Sequence, residues 1–229
     1  MTINKKWQNY AFIFIIIAPI QYIILSSIAM IFYSGGTLNN HLSLGYNFWN
    51  NFFSDLGRFI ALSGQPNYIS FTIFTISALI MSISLIPFII SLYKLFQDKN
   101  KENNYIIFGS IFGLCAAFFL ILTVLTPWDL FLGIHLVFSN LFNFCGAIAA
   151  FFYFMGIIIN KKYSNIYGLL FLLLLILAFT YIFLSLITSE FFNEDKILIQ
   201  ASYQKISQYT FLLCYCVQGF GAIEYKLKI

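Results

Sequence analysis

Long runs of apolar residues, separated by short polar stretches, dominate the pattern along this chain. A helix needs about 20 apolar residues to cross the hydrocarbon core of a bilayer. Six runs meet or approach that length, at residues 11–33, 68–93, 105–126, 134–159, 165–189 and 204–223. Backbone groups in lipid must bond to each other, so continuous runs predict helices rather than alternating strands. The pattern predicts an all-α polytopic integral membrane protein, a six-transmembrane-helix bundle with a single domain over 1–229.

The composition points to the same environment. Hydrophobic residues make up 61% of the 229 residues and charged residues only 9%, whereas a soluble domain is about 25% charged. The net charge of +4 comes mainly from lysines at the ends of the apolar runs, where membrane topology requires them. We therefore expect membrane lipids as partners and no nucleic acid.

The lysines also predict the orientation of the bundle. With six crossings both termini lie on one side of the membrane, together with Lys5, Lys6, Lys94, Lys99, Lys101, Lys161, Lys162, Lys226 and Lys228. The other side holds Arg58, Lys196 and Lys205, and the acids Asp55, Asp129, Glu190, Glu194 and Asp195. Because lysine and arginine are enriched on the cytoplasmic side, both termini are predicted in the cytoplasm and residues 34–67 outside the cell membrane.

Two stripes of polar and small residues are expected inside the bundle. The fourth run carries His135, Ser139, Asn143, Gly146 and Ala150 at helical spacing, and the last run carries Gln204, Gln208, Phe211, Tyr215, Gln218 and Ala222. Polar side chains are costly in lipid, so the stripes should face each other. Ordinary interhelical packing and a polar cavity open to the outer face both fit this pattern. Gly113 of the third run is predicted to lie against a neighbouring helix.

A short charged island, residues 50–58, lies between the first two runs and holds Asp55 and Arg58, the only arginine of the chain. With Asp129 and His135, predicted on the same side, these residues form the candidate ligand-binding site. An arginine can grip a phosphate through two parallel hydrogen bonds, and a histidine can titrate near neutral pH. The alternative is a structural cap that locks the long segment onto the bundle. We predict that Arg58 is partly buried and paired with Asp55 or Asp129.

Catalytic chemistry is sparse in this sequence. The chain has two histidines, His41 and His135, and four cysteines that lie within apolar runs without metal-binding spacing. We expect no metal and no cofactor. A Ser-His-Asp set would need Ser54 or Ser139 with His135 and Asp129, and no nucleophile-elbow glycine pattern accompanies these residues. The sequence therefore favours a non-enzymatic protein, and catalysis remains the less favoured reading.

Two short signatures resemble a known pattern. Phe53-Ser54-Asp55-Leu56-Gly57-Arg58 is followed by Gly64-Gln65-Pro66-Asn67, and Pro127-Trp128-Asp129 precedes His135. They resemble segments of an uncharacterised prokaryotic multi-pass membrane family, domain of unknown function nine-hundred-ninety-eight. The first signature is also similar to the Frag/DRAM/Sfk group of six-span proteins. The resemblance implies a six-helix membrane protein. The first family implies no reaction, and the second group is associated with membrane-lipid and trafficking roles.

The sequence thus predicts an integral membrane protein that binds a lipid headgroup or a small polar ligand at an outward-facing site. The alternative is a small-solute transporter or an unusual intramembrane enzyme. A transporter would show a continuous polar path between the two faces, and an enzyme would bring Asp129, His135 and a nucleophile within hydrogen-bond reach.

Overall fold

The structure, a computed structural model, describes residues 3–96, 102–160, 163–191 and 196–228. Within these ranges the chain is all-helical, as predicted. The helices are α1 (Ile3–Ile31), α2 (Phe53–Leu56), α3 (Tyr68–Leu95), α4 (Glu102–Leu125), α5 (Trp128–Ile159), α6 (Asn165–Phe191) and α7 (Lys196–Lys228). Several residues of the orientation argument lie outside the described residues: Lys99, Lys101, Lys161, Lys162, Glu194 and Asp195.

Four of the described helices contain segments long and apolar enough to cross a membrane. These segments are Lys6–Ile31, Tyr68–Leu95, Asn104–Leu125 and Trp128–Ile159. The fifth and sixth predicted runs fall within α6 and α7. In α6 the apolar stretch that can be delimited is shorter, Asn165–Tyr181. The structure therefore supports a membrane protein, with four candidate spans by length and composition.

The six long helices form a closed ring in chain order. α1 packs against α3, α3 against α4, α4 against α5, α5 against α6, and α6 against α7, which returns to α1. The ring closes near the chain ends, where Lys226 Nζ donates a hydrogen bond to Asn9 Oδ1 at 2.7 Å. The connection between α4 and α5 is only Thr126 and Pro127, so these helices form the antiparallel hairpin that short connections produce.

Small residues allow the helices of the ring to approach closely. A Cβ atom added at Gly109 of α4 would lie 3.0 Å from the ring of Tyr153 on α5, and one at Gly113 would lie 3.2 Å from Ile89 on α3. The prediction that Gly113 lies against a neighbouring helix is confirmed. In lipid, where packing replaces the hydrophobic effect as the force between helices, such contacts set the helix spacing.

Each helix of the ring contributes one side chain to a layer that crosses the interior of the ring. We call it the aromatic layer. Its members are Phe12 (α1), Phe88 (α3), Ser110 (α4), Tyr153 (α5), Phe171 (α6) and Tyr215 (α7). The aromatic members form a chain of ring contacts. The centroids of Phe12 and Phe88 are 6.3 Å apart, and those of Phe88 and Tyr215 are 5.9 Å apart. The centroids of Tyr215 and Phe171 are 6.3 Å apart, and those of Phe171 and Tyr153 are 4.9 Å apart. The Tyr153 hydroxyl and Ser110 Oγ are 3.0 Å apart. Phe12, Phe88, Tyr153 and Phe171 are buried, so the layer closes the centre of the ring.

Residues 34–67 fold into a compact cover segment at the end of the ring where α1 ends and α3 begins. Buried Asn67 binds its two halves together: Nδ2 donates to the carbonyls of Leu56 and Arg58 at 3.3 and 2.9 Å, and Oδ1 accepts from Ser34 N at 3.3 Å. Gly36 has φ +87°, and a Cβ atom there would lie 2.2 Å from Ser63 N. Only glycine fits that close approach.

Candidate functional site

A cavity of about 220 Å³ lies between the cover segment and the aromatic layer. Its walls come from all six long helices, α1 through Tyr22 alone, and Phe53, Ser54 and Gly57 of the cover segment contribute to its lining. On this measure of volume one water molecule needs only about 10–15 Å³, so the space suits a small organic group. In each helix the lining residues lie on the cover side of the aromatic layer, except Tyr215, which belongs to the layer itself.

The two predicted stripes line walls of this cavity. α5 contributes His135, Ser139, Asn143, Gly146 and Ala150, and α7 contributes Gln204, Gln208, Phe211 and Tyr215. Gln218 and Ala222 lie beyond the aromatic layer, where Gln218 Nε2 donates to Tyr167 O at 2.6 Å and Ala222 is buried. The stripes therefore face the interior as predicted, and most of their members border open space.

The polarity of the lining changes with depth. Near the cover segment the walls carry most of the polar side chains of the lining: Thr123, Trp128, His135, Ser139, Asn143, Tyr181, Gln204, Ser207 and Gln208. Apolar Phe53, Phe74, Val124, Pro127 and Phe142 lie between them, and polar Ser82 lies deeper, on α3. Nearer the aromatic layer they carry mainly small and apolar ones: Met81, Leu85, Gly113, Ala116, Gly146, Ala147, Ala150, Leu174 and Phe211. This gradient fits a molecule with a polar end toward the cover segment and an apolar end toward the layer.

Several polar groups of the lining lack partners within the described residues. The Trp128 indole Nε1 and the Ser207 hydroxyl are buried without a hydrogen bond. His135 Nδ1 lies 2.7 Å from Thr126 O, and a carbonyl only accepts, so Nδ1 carries the hydrogen and Nε2 is the acceptor of the neutral ring. Unpartnered buried polar groups are rare in folded proteins, and a ligand or water commonly completes them.

Asp129 and Arg58 connect the cover segment to the start of α5. The two carboxylate oxygens of Asp129 accept the backbone N–H groups of Phe59 and Ile60, at 3.2 and 2.9 Å. Arg58 Nε donates to Ile60 O at 2.9 Å, and its guanidinium lies 4.7 Å from the centre of the Trp128 ring. Phe131 departs from helical geometry, with φ −135° and ψ 41°, so the first turn of α5 is offset from the rest of the helix.

Beyond α6 in the ring, α7 also holds the cover segment, through two neighbouring residues. Gln204 Oε1 accepts the N–H of Phe53 at 2.8 Å. Lys205 Nζ donates to the backbone carbonyl of Asn51, and the side chain is 1% exposed. Its ammonium lies 5.6, 5.3 and 5.8 Å from the ring centres of Tyr46, Phe48 and Phe53, within the range of cation–π attraction.

Asp55 is buried inside the cover segment. Its Oδ2 accepts hydrogen bonds from Asn51 Nδ2 at 3.0 Å and Phe52 N at 2.8 Å, and its Oδ1 has no partner among the described residues. Burial raises the pKa of the Asp55 carboxyl above its ordinary value of 3.8, and the two hydrogen bonds and the charges of Arg58 and Lys205 act in the opposite direction.

The structure thus separates the four predicted site residues. His135 lines the cavity, whereas Asp55, Arg58 and Asp129 hold or build the cover segment. The predicted pairing of Arg58 with Asp55 or Asp129 is wrong, because Arg58 forms no ion pair with either of these described carboxylates. The two residues do lie one turn apart, since Arg58 N donates to Asp55 O at 3.1 Å. Their side chains bind different groups: Asp55 accepts from Asn51 and Phe52, and Arg58 donates to Ile60 O. Ligand binding by these residues stays a prediction.

The arrangement also fails to assemble the Ser-His-Asp set. Both oxygens of Asp129 bind backbone N–H groups of the cover segment, and His135 Nδ1 binds Thr126 O. Asp129 therefore does not orient His135, which is the role that a triad requires of its acid.

Sequence reasoning missed Gln204 and Lys205 as anchors of the cover segment. A signal was present, because Lys205 falls inside the predicted run 204–223, and an ionisable residue within a span normally marks a partner or a site.

Comparisons with protein families, curated proteins and solved structures find no match to this chain.

Proposed function

We propose that this protein is a six-span integral membrane protein that binds a small amphiphilic ligand, a lipid or lipid-like molecule, in the cavity beneath the cover segment. The observation that carries this proposal is the polarity gradient of the lining, polar near the cover segment and apolar near the aromatic layer. A lipid entering from the outer leaflet would fit with its head near the membrane surface and its tail toward the bilayer centre.

The outward faces of α6 and α7 support six spans. Among the described side chains of α6, the exposed ones are apolar after its first residue, Asn165: Ile166, Leu169, Leu173, Ile176, Phe179 and Phe183. Those of α7 are apolar Leu198, Ile206, Leu213, Val217, Phe220 and Leu227, together with Glu224 near the end of the helix. The polar residues that lower the hydropathy of α7, such as Gln204 and Gln208, line the cavity. A helix with an apolar outer face and a polar inner face suits a position between lipid and an internal cavity.

Cysteine labelling tests the number of spans and the orientation. In a variant without its four cysteines, Leu42→Cys and Lys196→Cys should react with a membrane-impermeant maleimide in intact cells. Ser164→Cys and Leu227→Cys should react only after lysis. Protection of Lys196→Cys together with labelling of Leu42→Cys would leave four spans, and labelling of Leu227→Cys in intact cells would contradict the cytoplasmic C-terminus.

Mass analysis of molecules carried by the purified protein tests ligand binding. A leucine at Gly146 would project into the cavity, since a Cβ atom there meets nothing within 4 Å and Gly146 belongs to the lining. Gly133 is the matched control: it also has open space around it, lies on the same helix, and is exposed outside the lining. The wild type and Gly133→Leu should carry an amphiphile that Gly146→Leu lacks. Equal content in all three proteins would overturn the proposal.

Transport remains the alternative function, and it would need a passage through the aromatic layer. The four buried rings of that layer, Phe12, Phe88, Tyr153 and Phe171, separate the cavity from the end of the ring that holds the termini. A cavity closed on one side is better suited to holding a ligand than to passing one.

A further inference from the structure

We infer that the ligand of this cavity has an uncharged head that forms hydrogen bonds, such as a lipid alcohol, ester or amide, and not a phosphate, carboxylate or ammonium group. This inference rests on the proposed function and adds the chemical class of the ligand. It follows from the absence of Asp, Glu, Lys and Arg among the lining residues that the structure describes. The histidine of the lining, His135, donates through Nδ1 to Thr126 O, so Nε2 is an acceptor when the ring is neutral.

Every charged side chain near the cavity is engaged elsewhere. Arg58 binds Ile60 O and stacks on Trp128, and Lys205 binds Asn51 O within its three aromatic rings. Asp129 binds two backbone N–H groups, and Asp55 lies inside the cover segment. None of these four side chains is thus directed at the cavity to meet a head group of opposite charge.

The polar groups that do line the cavity are neutral donors and acceptors. Asn143 Nδ2 donates to Ser139 O at 2.9 Å, which leaves its carbonyl oxygen for another donor. The Ser207 hydroxyl and Trp128 Nε1 have no hydrogen-bond partner in the part of the chain that the structure describes. A hydroxyl or carbonyl head can replace its hydrogen bonds to water by hydrogen bonds to these groups, at little cost in free energy. An ionic head would lose its hydration without gaining a counter-charge.

Three probes with the same apolar chain test the head group: dodecanol, dodecyl phosphate and dodecylammonium. The protein, in phosphatidylcholine nanodiscs, carries Trp7→Phe and Trp49→Phe, so that Trp128 is the remaining tryptophan of the three and its emission reports on the cavity. Dodecanol should bind at least about tenfold more tightly than either charged probe. Gly146→Leu should weaken dodecanol binding at least about tenfold, and Gly133→Leu should leave it within about twofold.

Asn143→Leu provides a second cavity variant, with the same number of side-chain heavy atoms and the same branching, for use if Gly146→Leu does not fold. It should lower the preference for dodecanol over the charged probes by removing a neutral hydrogen-bonding group.

The outcomes separate the head-group inference from the proposed function. Tightest binding of dodecyl phosphate or dodecylammonium, lost in the cavity variant, would overturn the uncharged head and keep the binding function. If Arg58→Ala then removed the preference for phosphate, Arg58 would be the headgroup ligand that the sequence predicts. Absence of any binding that depends on Gly146 or Asn143 would overturn the binding function and the inference together.

Discussion

Lys205 on the last helix donates a hydrogen bond to the backbone carbonyl of Asn51, 154 residues earlier in the chain, and both residues are buried. An ammonium group in apolar surroundings needs compensation. Here a carbonyl and three aromatic rings provide it. The contact joins the cover segment to the far end of the chain, so the segment that closes the cavity is stable only when α7 is in place.

Replacement of Lys205 should therefore lower the stability of the folded protein. Lys205→Met keeps an unbranched apolar stem but removes the charged donor from the Asn51 carbonyl, which keeps only the 3.3 Å hydrogen bond from the Tyr46 hydroxyl. Loss of a hydrogen bond from a charged group should cost about 2 kcal/mol. The melting temperature in detergent should fall clearly below that of Lys196→Met, the control at the half-exposed start of α7. Equal melting temperatures would mean that the Lys205 contact contributes nothing to stability.

Asp129 should control how firmly the cover segment is held. Asp129→Ala removes the acceptor of two backbone N–H groups, so limited proteolysis within residues 34–67 should become faster. Asp129→Asn keeps one acceptor oxygen and should lie between the wild type and Asp129→Ala. Identical cleavage rates in the three proteins would contradict this role.

Arg58 should stabilise the protein through its planar shape as well as its charge. Arg58→Ala loses both the bond to Ile60 and the contact with Trp128, and should lower the melting temperature more than Lys196→Ala does. Arg58→Lys should restore only part of the loss, because an ammonium cannot stack flat on an indole ring. Full recovery in Arg58→Lys would show that charge alone matters.

Close packing between α4 and its neighbours predicts intolerance of larger residues. Gly109→Leu would meet the Tyr153 ring and Gly113→Leu would meet Ile89, and each should cost about 1–3 kcal/mol through overpacking. Gly133→Leu, with nothing within 4 Å of its added Cβ, should leave yield and melting temperature nearly unchanged. A similar fall in all three variants would point to a general effect of leucine.

The buried carboxyl of Asp55 predicts a dependence of stability on pH. Because its pKa is higher in the folded protein than the ordinary 3.8, the folded state holds this proton more tightly than the unfolded state does. The contribution of this carboxyl to the free energy of unfolding is greatest below pH 3.8, and it declines as the pH rises through the folded-state pKa. Asp55→Asn should therefore gain free energy of unfolding relative to the wild type over that interval, by up to about 1.4 kcal/mol per pH unit. Chemical unfolding of both proteins between pH 3 and pH 8, a range set by the ordinary carboxyl pKa of about 4, measures this difference. A constant difference would show that Asp55 titrates normally.

The helices and the inward-facing stripes follow from the sequence because both depend on local periodicity. Ser139 and Asn143, four residues apart, share a face of any helix that contains them, and both line the cavity. The predicted starts of α5 and α7 were too late by several residues, since apolar character alone does not mark a helix end that lies among polar groups.

The cover segment could not be predicted in the same way. Its contacts join residues far apart in the chain, as Phe53 with Gln204 and Ile60 with Asp129. The spacing of Asp55 and Arg58, three residues apart, suggested a pair, but the Asp55 carboxylate binds Asn51 and Phe52 while the Arg58 guanidinium binds Ile60 O. When a carboxylate binds a backbone N–H group, the sequence does not reveal its partner, because every residue except proline supplies such a donor.

The return of α7 to α1 makes the protein a cycle of helices in which the start of α1 and the end of α7 lie close together, beside the contact of Lys226 with Asn9. Circular permutation should therefore be possible. A short linker could join the end of α7 to the start of α1, and the chain could be opened between α3 and α4. Every helix would keep both neighbours, although translation would begin at α4.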